Sequence, residues 1–107
     1  MVEIKSLKVE AEAITSHLKK ILGFMSHIKT KKAKLFVFEK QKIISIHMLF
    51  VFFPLIIIWL DENKRVSQFK VAKPFRFVES HKGKYVLEIP LDWEIFRKLK
   101  NRMKLNW

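Results

Sequence analysis

His47 sits inside a run of eighteen uncharged residues, Ile43 to Leu60, between Ile46 and Met48. An imidazole in apolar surroundings needs a hydrogen-bond partner or a pocket, since a desolvated polar group without one costs roughly 2–7 kcal/mol. His47 and Met48 are therefore candidate ligand contacts, with Lys84 and Tyr85 as further polar groups for the same purpose. The plain alternative is a strand histidine satisfied within the fold, a rim lysine and a core tyrosine.

A second set could meet phosphate. Lys29, Lys31, Lys32 and Lys34 crowd the segment 27–34, and Arg97, Lys98 and Arg102 stand near the C-terminus. The chain carries 22 Lys and Arg against 10 Asp and Glu, a net charge of +12. Such a balance attracts anionic partners, nucleic acid among them, or keeps an apolar-rich small protein in solution. Only four of the basic residues are arginines, the side chain suited to bidentate phosphate contacts, which weakens the nucleic-acid reading.

Several chemistries have no footing. With only Gly23 and Gly83, neither a phosphate-binding P-loop nor a dinucleotide fingerprint can form. His17, His27, His47 and His81 lack the i, i+4 spacing of a zinc-binding helix, so no metal site is expected. There is no cysteine, which removes disulfides and thiolate nucleophiles and fits a reducing cytoplasm. No catalytic residue and no cofactor is expected.

The elements that must hold these residues follow from periodicity. At 107 residues the chain is expected to form one domain, 1–107. Residues 2–9 read as a strand whose apolar parity changes near Ser6, the mark of a bulge or break. Ile14, Leu18, Ile21, Leu22 and Met25 make a helical stripe, predicting a short helix at 11–22 closed by Gly23. Residues 27–34 read as a basic loop and 35–39 as a strand. The run 43–60 is barely long enough to span a bilayer as a helix, and Pro54 with its β-branched and aromatic content divides it into strands at 43–52 and 55–60. Residues 61–65 predict a turn, 65–71 the partner strand of a hairpin, 81–84 a second turn around Gly83, and 85–89 a strand ended by Pro90. Asp92 is a suitable N-cap for a basic amphipathic helix with Trp93, Phe96, Leu99 and Met103 along one side.

Four ordered blocks, from about residue 20 to 95, carry a family resemblance. They are Gly23-Phe24-Met25, Leu35-Phe36-Val37-Phe38, the region from His47-Met48 through Phe53-Pro54-Leu55-Ile56 to Trp59-Leu60-Asp61, and Tyr85-Val86-Leu87-Glu88-Ile89-Pro90. In this the chain resembles the domain of unknown function 192 family, also called uncharacterised protein family 0127, in a form like its more apolar archaeal members. The resemblance implies a mainly β fold without a membrane span: a small antiparallel sandwich or open barrel with a short helix after the first strand and the basic helix at the end. The family's polar Lys-Asn-Thr trio is Leu49-Phe50-Val51 here and its following Asp is Ile56, so any site built from those groups is missing.

The expectation is a small cytoplasmic, non-enzymatic module for ligand binding or protein interaction. Its apolar surplus could be covered by a protein partner or a second copy. A nucleic-acid binder using the Lys-rich surface is the alternative, and an enzyme with an unrecognised site the third reading.

Overall fold

The structure, a computed structural model, describes residues 1–15, 33–47, 53–74 and 77–107; at 45–47, 77 and 79 it describes the backbone without the side chains. Six strands and one short helix follow in order: β1 (Val2–Ile4), β2 (Val9–Ile14), β3 (Ala33–His47), β4 (Leu55–Leu60), β5 (Val66–Ala72), β6 (Phe77–Pro90) and α1 (Trp93–Lys98). The strands form one sheet in the order β1-β2-β3-β6-β4-β5. All neighbours are antiparallel except β2 and β3, which pair in parallel from Ala11↔Ala33 to Ile14↔Phe36.

The expected antiparallel sandwich or open barrel is thus a single mixed sheet. Between β6 and the edge strand β5 lies β4, whose six residues LIIIWL are all buried. On one face Ile56, Ile58 and Leu60 join Leu35, Tyr85 and Leu87, covered by Ile95 and Phe96 of α1 and by Met103 and Trp107 of the tail. On the other, Leu55, Ile57 and Trp59 meet Phe36, Phe38, Ile44 and Val86. A strand buried on both sides reads as a continuous apolar run, which explains the lower half of the stretch that resembled a membrane span. Among the described residues no helix is long and apolar enough to cross a membrane.

The break near Ser6 is a turn between β1 and β2, where Lys8 adopts a left-handed conformation at φ 56°. Four other expectations are corrected. Val9–Ile14 is a strand, so no helix begins at 11; the rest of that prediction, 16–22, lies outside the described residues. Buried and exposed residues alternate from Val9 to Glu12 before the parity shifts at Ile14, and the apolar stripe draws only Ile14 from this part. The segments 35–39 and 43–47 are one strand, with three extra residues relative to β6 between Val37↔Tyr85 and Lys42↔Gly83; 48–52 lies outside the described residues.

Gly83 is in mid-strand rather than in a turn, because a side chain there would press on the Leu60 carbonyl oxygen, 3.1 Å from an ideal Cβ. Finally, α1 stops at Lys98, well short of Met103. Its start is as expected: the Asp92 carboxylate accepts from the backbone N–H groups of Glu94 (2.9 Å) and Ile95 (3.2 Å). Beyond it the tail turns back as an extended segment, with Arg65 and Lys104 in an antiparallel bridge.

A candidate anion-binding cleft at the C-terminal tail

The turn between β4 and β5 and the returning tail enclose a cleft of about 540 Å³ lined by Asp61, Arg65, Val66, Ser67, Asn101 and Arg102. Its shape follows from local sequence. Asp61 starts a tight hairpin turn: its backbone N–H donates to the Arg65 carbonyl (2.9 Å), and its carbonyl accepts from Lys64 N–H (3.0 Å). The Asp61 carboxylate holds the same turn from outside, accepting from the N–H groups of Asn63 (2.8 Å) and Arg65 (3.0 Å). The Gln41 side chain, in the bulged part of β3, accepts from Glu62 N–H at 3.1 Å. One more irregularity completes the wall. The register slips between Trp59↔Gln68 and Leu60↔Val66, and the extra residue, Ser67, places its hydroxyl 3.1 Å from both the Trp59 and the Lys82 carbonyl oxygens.

The opposite wall is the tail. Val66 N–H donates to the Met103 carbonyl (2.8 Å), Arg102 N–H to the Val66 carbonyl (2.7 Å) and Leu105 N–H to the Lys64 carbonyl (2.9 Å), so 102–105 lies along the start of β5. At its far end the Asn106 side chain accepts from Ser6 N–H at 2.8 Å, and the Asn106 carbonyl from Lys5 N–H at 3.2 Å. The tail therefore ties together pieces from opposite edges of the sheet. To do so, Arg102 takes a left-handed backbone conformation, φ 68°. Its carbonyl accepts from Arg65 Nη1 at 3.0 Å, which orients the Arg65 guanidinium by a backbone atom. The cleft lining thus includes two arginines and an asparagine, against a single carboxylate already engaged in the turn. An arrangement of that kind can take an oxyanion.

Tyr85 and Lys84 belong to the neighbouring stretch of this surface. Tyr85 is buried and meets the Trp107 ring edge to face at 5.1 Å. Lys84 Nζ stands 5.5 Å over the Tyr85 ring, and Lys64 Nζ 4.4 Å over that of Trp107. His47 is elsewhere: its backbone pairs with Phe77, eight residues along β6 from Tyr85, or roughly 25 Å of strand path. Its side chain and all of Met48 lie outside the described residues.

Of the basic candidates, Arg97 and Lys98 are exposed in the last turn of α1, and Arg102 is exposed in the tail. Lys29, Lys31 and Lys32 lie outside the described residues. Lys34 requires correction. It is in β3 rather than a loop, 5% exposed and opposite Glu88, itself 2% exposed. Arg65, Ser67 and Asn101 were missed. The turn signal at 61–65 located Arg65, but nothing local announces that the tail comes back to it. Among the described residues no group of three His, Asp or Glu could hold a metal.

The family model DUF192, described as an uncharacterised ACR, matches residues 1–107. The chain belongs to the DUF192 family. A UPF0127 protein of Thermococcus kodakarensis is 36% identical over 77 residues, 69% of this chain and 49% of that protein. For a UPF0127 protein of Thermococcus gammatolerans the figures are 32% over 83 residues, 75% and 54%. For one of Pyrococcus furiosus they are 33% over 89 residues, 80% and 76%. These relatives are archaeal, and the chain spans about half the length of the two Thermococcus proteins.

Two crystal structures share the fold of this DUF192 protein. One is a protein of unknown function from Novosphingobium aromaticivorans, with a TM-score of 0.77 and 19% identity over 92% of this chain and 75% of that one. The other is a putative transcription regulator from Sinorhizobium meliloti, with a TM-score of 0.76 and 16% identity over 90% and 79%. Where the resemblance implies an Asp, Ile56 is fully buried in the core.

Proposed function

We propose that this DUF192 protein is a non-enzymatic binding module that receives a phosphate or carboxylate group in the cleft between the β4–β5 turn and the tail. The observation that carries this reading is the pairing of Arg65 and Arg102 across one cleft, with Arg65 oriented by the Arg102 carbonyl. The backbone at φ 68° for Arg102 is uncommon for a residue with a side chain, and conformations of that kind gather at ligand-binding positions. Asp61 is already held by two backbone N–H groups of the turn, which leaves the arginines as the charges available to a ligand in the cleft.

Titration calorimetry with pyrophosphate and with citrate at low salt tests the reading. Saturable binding is expected, weakened about tenfold or more by Arg102→Gln or Arg65→Gln, since each removes a charge-assisted hydrogen bond worth roughly 1.5–3 kcal/mol. Absence of saturable binding of either anion would overturn it.

A further inference from the structure

Trp93 is 53% exposed, unusual for the largest apolar side chain in a molecule whose sheet is buried on both faces. It does not stand alone. Its ring meets that of Phe96 at 5.6 Å and 87°, and Phe96 meets Phe69 of β5 at 5.6 Å and 69°. Phe69 and Phe96 are half-buried and rest on the core, so they hold Trp93 on a rigid footing. Arg97 follows Trp93 at i+4, on the same side of α1, and both Arg97 and Lys98 are exposed.

The anion-binding cleft is close by. Phe69 and Val66 are three residues apart on β5, about 10 Å, and Val66 bonds to Arg102 and Met103 at the cleft wall. Trp93 and Arg97 therefore share one side of α1, Lys98 and Lys100 are exposed at its end, and the cleft arginines follow on the tail and the β4–β5 turn. A lone anion would use only the last of these. A chain of anions with an aromatic face at each unit would use all of them, and single-stranded nucleic acid has that chemistry: stacking on exposed rings combined with phosphate contacts in a basic track. We infer that this surface binds single-stranded nucleic acid, a base stacking on Trp93 and a backbone phosphate seated between Arg65 and Arg102. The inference rests on the cleft being an anion site and names the class of anion.

The test uses the full chain with unstructured oligonucleotides of about a dozen nucleotides, within the range of about 4–16 that one such surface covers, as oligo-dT and oligo-rU, with polyphosphate of equal charge as the control. Either oligonucleotide should bind at low salt at least tenfold more tightly than polyphosphate and quench tryptophan fluorescence. Trp93→Ala should weaken it about 5- to 100-fold and Trp93→Phe much less, while polyphosphate binding is unchanged by both. Because Trp93 is exposed, these variants leave the core intact, and an unchanged unfolding midpoint verifies that. Equal affinity for polyphosphate and oligonucleotide, or indifference to Trp93→Ala, would sink the nucleic-acid inference and leave the anion cleft standing. Loss of both ligands' binding from the wild-type chain would remove both readings.

Discussion

The indole of Trp59 and the imidazole of His81 meet edge to face, their ring centroids 4.6 Å apart at 71°. Trp59 is fully buried, and its Nε1–H donates to the Ile44 carbonyl at 3.4 Å. One side chain thus joins three strands: its own β4, β6 through His81, and β3 through Ile44. Replacing Trp59 by Ala should cost about 3–5 kcal/mol of unfolding free energy in urea, and by Phe distinctly less, since the ring contact survives without the indole hydrogen bond. A loss below about 1 kcal/mol for the alanine variant would contradict this role.

Gly83 gives a prediction with the opposite sign to the general rule. Glycine to alanine in regular structure often stabilises by about 0.4–1 kcal/mol through the unfolded state. Here the added methyl meets the Leu60 carbonyl oxygen at 3.1 Å and Trp59 Cβ at 3.5 Å, and a backbone atom yields poorly. Gly83→Ala should therefore destabilise the fold by about 1–3 kcal/mol, as overpacking does. Thermal unfolding of the two proteins side by side decides it.

Those two positions also show what was legible in the sequence. The hairpin of β4 and β5, the strand at 85–89 and the Asp92 cap all follow from local pattern, because alternation, turn residues and capping act between near neighbours. Gly83 reads as a turn residue because glycine marks both tight turns and close backbone approach, whereas here the constraint is Leu60, distant in sequence. A helix from residue 11 is predicted where β2 runs on to Ile14, because Ile14 fits the periodicity of the residues after it. The cleft was hardest to foresee. Arg65 and Arg102 are brought together by tail-to-β5 backbone bonds, which no residue type specifies.

Lys34 and Glu88 are 5% and 2% exposed, and they lie directly across from each other in the pairing of β3 with β6. Removing one charge strands the other in a low-dielectric interior. Lys34→Met alone, or Glu88→Leu alone, should cost about 3–5 kcal/mol, whereas the double substitution should recover most of that loss or exceed wild-type stability. A double-mutant cycle by chemical denaturation measures the coupling; additive losses would mean that the two charges are compensated by other groups.

Lys64 occupies a left-handed position at φ 63°, where the turn would ordinarily favour glycine, and its ammonium reaches the Trp107 carbonyl at 3.2 Å. The residue therefore combines backbone strain with a tether on the tail that forms one wall of the cleft. Lys64→Ala removes the tether and keeps the strain, while Lys64→Gly removes both. The glycine variant should consequently be the more stable of the two by about 1 kcal/mol, reversing the usual order of alanine over glycine. Both variants should also loosen the tail, read as faster amide exchange at Met103 and Leu105 than in the wild type. If alanine proves the more stable, the left-handed conformation at this turn is not a source of strain, and the side-chain tether alone explains why lysine is tolerated there.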